Sequence, residues 1–366
     1  MAKLLMKGNE AIAEAAIRAG CRYFFGYPIT PQNQIPEYMS KRMPQVGGVF
    51  LQAESEVSAI NMVYGAAGAG GRVMTSSSGP GISLKQEGIS YIVGAQLPCV
   101  IVNIMRGGPG LGSIQPAQGD YYQATRGGGH GDYRIPVFAP SSVSEAVALT
   151  QEAFDLADKY RTPVIVLGDG MIGQMMEPVD LPDSTDITVT DKPWAAVGWD
   201  GSRPRSIINS LYIDPSALEQ HNIMLQKKFN LIEENETRSA SELVDDADIV
   251  IVAYGTVARI ARSAIRMARA EGIKVGMIRP ITLWPFPSAP IAKAAQTAKA
   301  FLTIEMSAGQ MLDDVKLAVN GRKPVLFYGR MGGMVPAVRD VLEKIRALAG
   351  NIKSGKQLPD SFKEAI

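Results

Sequence analysis

The sequence predicts an α/β protein: a doubly wound parallel sheet with helices on both faces, followed by a second, smaller α/β domain. Three observations carry this. Short apolar runs alternate with helix-period segments through the first half of the chain. Two of those runs, CVIVNIM at Cys99–Met105 and PVIVLG at Pro163–Gly168, are continuous apolar runs but for Asn103, as expected of strands covered on both faces. The alternation stops near Met176, where prolines and aspartates take over, and resumes at Ile249.

In order, the pattern predicts a helix near Gly8–Ala19, strand Tyr23–Phe25, helix Gln32–Lys41 and strand Val49–Leu51. Next come helix Glu56–Gly70, whose stripe is Ala59, Ile60, Val63, Ala67 and Gly70, then strand Val73–Ser76, helix Ile82–Val93 and strand Pro98–Ile104. After a glycine-rich loop follow strand Pro136–Ala139, helix Ser142–Tyr160 and strand Thr162–Leu167. A long polar helix, Pro215 to Asn235, crosses the irregular region. Beyond it, strands are expected at Ile249–Ala253, Lys274–Ile278, Phe301–Glu305 and Val325–Tyr328. Helices are expected between and after them at Val257–Glu271, Ser288–Ala298, Gln310–Val319 and Val335–Ala349. The division expected is a first domain at 1–190, a linker with its helix at 191–240, a second domain at 241–350 and a surface extension at 351–366.

Composition narrows the function. A chain of 366 residues can hold two or three domains with real cores. Lys+Arg 37 against Asp+Glu 36 leaves no basic excess to hold nucleic acid or an anionic membrane. The N-terminus runs straight into an amphipathic helix, so no signal peptide is read, and no run of about 18 apolar residues points to a membrane span. Cys21 and Cys99 are isolated, with no C-x-x-C; they cannot ligate an iron–sulfur cluster by themselves and suit a reducing cytoplasm. His130 and His221 are too few and too far apart for a metal centre, so no metal ligand is expected on this chain.

Candidate chemistry gathers at predicted strand ends, the edge where open α/β sheets bind ligands. Glu56 follows strand Val49–Leu51; with Ser55 as N-cap it sits in the first helical turn, where the backbone dipole favours an acid. By itself that is a dipole-satisfying glutamate. Tyr27-Pro28-Ile29-Thr30-Pro31 forms a rigid turn holding one hydroxyl, and Thr30 is equally expected to be an N-cap with Pro31 at the first helical position. Thr75-Ser76-Ser77-Ser78-Gly79-Pro80-Gly81 is small and hydroxylated, lets a ligand approach the backbone, and matches neither the P-loop nor G-x-G-x-x-G. Arg106, heading Gly107-Gly108-Pro109-Gly110, suits a bidentate grip on a carboxylate or phosphate, or else a structural ion pair. The loop it heads runs on through Arg126 to His130, and a loop this long within a compact domain is usually functional.

Together these segments resemble, in order and spacing, the alpha subunit of 2-oxoacid:ferredoxin oxidoreductases. The quoted residues are Tyr27-Pro-Ile-Thr-Pro31, Ser55-Glu56-x-x-Ala59, Ser78-Gly-Pro-Gly81 and Arg106-Gly-Gly-Pro109. Arg279-Pro-Ile-Thr-Leu-Trp-Pro-Phe286 and Glu305-Met-Ser-Ala-Gly-Gln310 look like that family's transketolase C-terminal-like domain, so the resemblance covers nearly the whole chain. It implies that the first domain binds the pyrimidine side of thiamine diphosphate. Glu56 is then the catalytic acid–base at the pyrimidine N1′, Thr30 and Arg106 bind the 2-oxoacid, and Tyr27, Pro28, Ile29, Ser78 and Gly79 contact the cofactor. The reaction implied is oxidative decarboxylation of the 2-oxoacid, with coenzyme A receiving the acyl group and ferredoxin the electrons.

Gly168-Asp169-Gly170 begins the metal and diphosphate motif of thiamine diphosphate enzymes, but no asparagine occurs between Asp169 and Asn209 to complete it. Asp169 therefore reads as a strand-end or turn aspartate. The family places diphosphate and Mg2+ on a beta subunit, and [4Fe-4S] clusters on beta and ferredoxin-like delta subunits beside a gamma subunit. Related alpha subunits often carry Ser-Thr where this chain has Gly110-Leu111; a leucine lining the pocket leans toward a branched substrate such as 2-oxoisovalerate. A 2-oxoglutarate- or pyruvate-specific member, a non-redox thiamine diphosphate-dependent decarboxylase subunit and a catalytically inactive scaffold stay open at this point.

Overall fold

The computed structural model describes residues 3–181, 191–356 and 358. The first part runs β1 (Leu4–Lys7), α1 (Gly8–Arg18), β2 (Tyr23–Gly26), α2 (Gln34–Arg42), β3 (Val49–Gln52), α3 (Glu56–Gly68), β4 (Val73–Ser77) and α4 (Pro80–Gly94). It continues with β5 (Cys99–Met105), α5 (Tyr121–Thr125), β6 (Val137–Phe138), α6 (Val143–Tyr160), β7 (Pro163–Asp169), α7 (Gly170–Gln174) and β8 (Met176–Val179). The long helix α8 (Pro215–Glu236) leads to β9 (Ser239–Glu242), β10 (Ile249–Val252), α9 (Gly255–Ala270), β11 (Val275–Pro280) and β12 (Thr282–Trp284). The chain ends with α10 (Ser288–Ala294), β13 (Ala300–Glu305), α11 (Gln310–Val319), β14 (Val325–Gly329) and α12 (Val338–Ser354).

The larger sheet has the order β12-β6-β7-β5-β4-β2-β3, parallel except where β12 joins β6 antiparallel. The second sheet is ordered β14-β13-β10-β11-β9, with β9 antiparallel at its edge. The central strands β5, β7 and β10 are largely apolar because successive side chains feed opposite cores. Val100, Val102 and Ile104 of β5 pack under α1, α2 and α6, while Cys99, Ile101 and Met105 face the cluster holding Ile60 and Val63 of α3 and Ile89 of α4. That second cluster continues without a break into Leu225 and Phe229 of α8 and Val250 and Phe301 of the second sheet, so the two sheets share apolar core.

Polar ties between the sheets are buried as well. Asp169, closing β7, accepts from Thr256 N at 3.1 Å and Thr256 Oγ1 at 2.7 Å, and its other bonds cap α7 through Met171 N and Ile172 N. Gln118 donates to the Tyr254 carbonyl at 3.0 Å and accepts from Met306 N at 2.9 Å. Arg279 grips Glu145 with two donors at 2.8 and 3.0 Å.

Several elements depart from the expected pattern. β1 pairs antiparallel with β8, a short ribbon with Leu4 and Leu5 exposed and therefore too weak in period to read. β12 lies beyond residue 241 yet completes the first sheet. Thr30 is not a helix cap: α2 starts at Gln34 with Asn33 before it. The buried Gln32 side chain accepts from Ser76 Oγ at 2.5 Å and donates to the Tyr27 carbonyl at 3.3 Å, which holds residues 30–33 in a turn. α12 runs to Ser354, four residues into the expected extension, with Gly355 left-handed behind it; the tail after Leu358 and residues 182–190 lie outside the described residues. Among the described residues no helix is long and apolar enough to cross a membrane.

Candidate functional site

The strand order reverses around β2: the chain steps from β2 outward to β3, then returns to β4 on the other side. Such a switch opens a crevice at the carboxyl ends of the strands. The loops carrying Tyr27–Pro31, Glu56, Ser78–Gly81 and Arg106 all leave the sheet at that edge, after β2, β3, β4 and β5.

Glu56 is the first residue of α3. Ser55 caps the helix in extended conformation, its Oγ accepting from Ser58 N at 3.3 Å. The Glu56 side chain turns inward and is 6% exposed, yet no hydrogen bond or ion pair from another described residue reaches its carboxylate. Buried carboxylates ordinarily have donors. The carboxylate lies against Gly81, where a Cβ would come within 2.6 Å of Oε1 and 2.2 Å of Ser77 Oγ. The hydroxyls of Ser77 and Ser78 are also buried without a partner. Unsatisfied polar atoms beside a glycine that leaves room for them suit a flat, nitrogen-rich ring such as an aminopyrimidine. Gly79, at φ +43° and ψ −109°, makes the sharp entrance to α4 that puts Ser78 inward.

Arg106 follows β5 directly and faces Gly79. Its Nη1 donates to the Thr30 carbonyl at 3.1 Å and its Nη2 to the Leu111 carbonyl at 2.9 Å, while Nε is buried without a partner. The structure thus brings Thr30 and Arg106 together, through the Thr30 carbonyl; the Thr30 hydroxyl accepts from Asn33 Nδ2 at 3.4 Å. No carboxylate among the described residues forms an ion pair with Arg106; Asp120 feels its charge only through space. Its guanidinium borders a cavity of about 580 Å³ between the loop after β5 and the second sheet, lined by Gly79, Pro80, Asp120, Met306 and Met331. Thr30 borders a second cavity of about 730 Å³ with Gln115, Gly170 and Gly333; Glu56 lines neither, though it lies against Gly81, next to Pro80 of the first. Tyr27 and Pro28 are exposed beside them, and Ile29 is half-buried.

Leu111 corrects one expectation. Its side chain is 85% exposed and lines neither cavity; only its carbonyl serves, as an acceptor for Arg106. The apolar lining comes instead from Met306 and Met331, carried by loops of the second sheet that no local pattern connects to Arg106.

Other site residues were not visible as candidates. The carbonyl of Pro31 accepts from Asn9 Nδ2 at 2.8 Å and Gln174 Nε2 at 2.7 Å, bracing the Tyr27–Pro31 turn from two distant helices. Asp120 accepts from Asn103 Nδ2 at 2.9 Å; burial raises its carboxyl above the usual range, opposed by Asn103, Gly79 N–H and Arg106. Glu305 caps α11 through Met311 N and Leu312 N, both at 2.9 Å, and burial pushes its carboxyl up to about 7. Lys85 of α4 is fully buried behind Glu56. Its signal was present: it interrupts the apolar stripe Ile82, Ile89 and Ile92.

Residues 14–235 match the family model of the pyruvate flavodoxin/ferredoxin oxidoreductase thiamine diphosphate-binding domain, and residues 247–341 match pyruvate:ferredoxin oxidoreductase core domain II. The chain is 55% identical to ketoisovalerate oxidoreductase subunit VorB of Methanothermobacter thermautotrophicus, over 96% of this chain and 99% of that one. It is 37% identical to 2-oxoglutarate synthase subunit KorA of Methanothermobacter marburgensis, over 94% and 98%. The solved 2-oxoglutarate:ferredoxin oxidoreductase from Magnetococcus marinus, with 2-oxoglutarate, coenzyme A and succinyl-CoA bound, superposes with a TM-score of 0.84 at 27% identity; the match covers 95% of this chain and 65% of that one. With both domains matched in order and curated relatives aligned end to end, the chain belongs to the 2-oxoacid:ferredoxin oxidoreductase family.

Proposed function

We propose that this chain is the alpha subunit of a 2-oxoacid:ferredoxin oxidoreductase of the 2-oxoisovalerate type, holding the pyrimidine side of thiamine diphosphate and the substrate carboxylate. The observation that carries the reading of the site is the inward-turned Glu56 at the switch point of the sheet, 6% exposed and with no hydrogen bond or ion pair from another described residue. The choice of substrate rests on the relative named for ketoisovalerate, at 55% identity, against 37% for one named for 2-oxoglutarate. When bound, thiamine diphosphate supplies a carbon nucleophile and an electron sink for decarboxylation. Glu56 holds the proton shared with the pyrimidine N1′, and Tyr27, Pro28, Ile29, Ser78 and Gly79 contact that ring. Arg106 turns its unused N–H donors to the 2-oxoacid carboxylate, with Thr30 beside it.

The remaining parts come from partners: a beta subunit with the diphosphate and Mg2+ site, gamma and ferredoxin-like delta subunits, and [4Fe-4S] clusters passing electrons to ferredoxin. Coenzyme A takes up the acyl group. Two buried, unpaired thiols, Cys21 and Cys99, both pushed up to about 12 by burial, are inert in the way a cytoplasmic enzyme requires. The deciding experiment is the subunit and cofactor content of the native complex, with turnover measured over a panel of 2-oxoacids. Branched substrates should lead; a clear preference for 2-oxoglutarate would overturn the substrate assignment. The isolated chain should be colourless and inactive, and stoichiometric iron in it after reconstitution would contradict the placement of the clusters.

Arg106→Lys should raise KM for the 2-oxoacid, and Arg106→Ala should raise it further, because lysine offers a point charge where the guanidinium offers parallel donors. Thr30→Val leaves the carbonyl bonded by Arg106 in place and removes only Oγ1, so a loss of roughly 1 kcal/mol in binding is expected. Steady-state kinetics of the reconstituted complex decide this. An Arg106→Ala enzyme with unaltered KM for every 2-oxoacid would remove Arg106 from the substrate site.

A further inference from the structure

Lys85 lies on α4 with no exposed surface. Its Nζ donates to Thr75 Oγ1 at 2.5 Å and to the Ser76 carbonyl at 3.5 Å, both on β4. Neither acceptor is charged, and among the described residues no carboxylate forms an ion pair with it. An ammonium enclosed this way is costly unless some negative charge acts on it through the interior. β4 presents one hydroxyl and one carbonyl, and two titratable groups act on Lys85 through the interior: Cys99 of β5, whose thiol burial pushes up to about 12 and keeps neutral, and Glu56 of α3. Burial pushes the Lys85 ammonium down to about 7, with Glu56 the larger of the two opposing pulls.

Glu56 has the complementary deficiency: its side chain is 6% exposed, and no described residue donates to its carboxylate. Gly81, against which that carboxylate lies, is in the first turn of α4, and Lys85 stands one helical turn further along the same helix. On the reading of Glu56 given above, we propose that Lys85 is a positioning residue for Glu56: a buried ammonium that, acting through space, holds the Glu56 carboxylate in place to meet the pyrimidine. Low interior polarisability is what lets a charge act at that range.

The pH dependence has a definite sign. Lys85 is a cation below about 7 and neutral above it, so its help to Glu56 is present at low pH and fades as pH rises. In the reconstituted complex, Lys85→Met should weaken thiamine diphosphate binding, measured by titration calorimetry, and lower kcat/KM, each about tenfold at about pH 6. Both differences should close at about pH 8.5, where the native lysine is itself uncharged. Thr75→Val removes the neutral acceptor and keeps the ammonium, so it should retain the native pH profile. In a Glu56→Gln background, Lys85→Met should cost no further cofactor affinity. Should Lys85→Met fail to assemble, Lys85→Gln, which keeps a donor for Thr75, carries the same test. A loss equal at all pH, no loss, or the same loss in the Glu56→Gln background would reduce Lys85 to a strut between α4 and β4. Glu56→Gln separates the two readings: if that variant is fully active the acid–base assignment itself falls, whereas an inactive Glu56→Gln with a pH-independent Lys85→Met defeats only the coupling.

Discussion

Glu56→Gln is expected to leave the chain folded and able to assemble, and to lower kcat by about 10²–10⁴-fold, the usual cost of losing a positioned acid–base group. Glutamine preserves volume, and Ser55 still caps α3, so stability should change little. What is lost is an atom that can hold a proton at the pyrimidine. Among the described residues no hydrogen bond or ion pair reaches the carboxylate, so what Glu56→Gln disturbs inside the chain is its through-space relation with Lys85, and an unfolding temperature measured beside kcat separates that from the chemistry. Near-normal turnover would redirect attention to Glu54, whose carboxylate is exposed and accepts from Ser58 Oγ at 2.9 Å, or to a scaffold role for the whole chain.

Gly81→Ala should be the second most damaging change. A Cβ at this position would stand 2.2 Å from Ser77 Oγ and 2.6 Å from Glu56 Oε1. Both are side-chain ends, so the fold can yield by rotating them, and alanine is worth about 1 kcal/mol more than glycine within a helix. Stability should therefore hold or rise slightly while the carboxylate is pushed aside, and a displacement of that kind costs about 10²-fold in rate. Gly350→Ala in α12, where nothing lies within 4 Å of the new carbon, supplies the matched control. Wild-type kcat in Gly81→Ala, with unfolding temperature unaltered, would show that the Glu56 position is not critical.

Much of the architecture was legible because strands covered on both faces have no polar period to obscure them. CVIVNIM and PVIVLG could only be central strands, and they are β5 and β7, paired in parallel through seven residue pairs from Cys99–Pro163 to Met105–Asp169. The Ser55 cap of α3 was readable for a local reason: it bonds a backbone N–H three residues away. Legibility failed wherever the decisive partner is distant. The start of α2 was misplaced because Gln32 bonds Ser76, and β12 was missed because three residues find their sheet only through β6.

The same physical division separates the parts of the site. By itself the sequence determined the alternation of elements, the strand ends that carry Glu56, Ser78 and Arg106, and the family these motifs resemble, since all are set by neighbours a few residues apart. Only the tertiary structure decided what those residues touch. It turned Leu111 outward, put Met306 and Met331 beside Arg106, tied Asp169 to Thr256, and left Glu56 and Lys85 in one buried neighbourhood with no ion pair between them among the described residues. Burial and long-range hydrogen bonding set those relations, and neither leaves a local period in the chain.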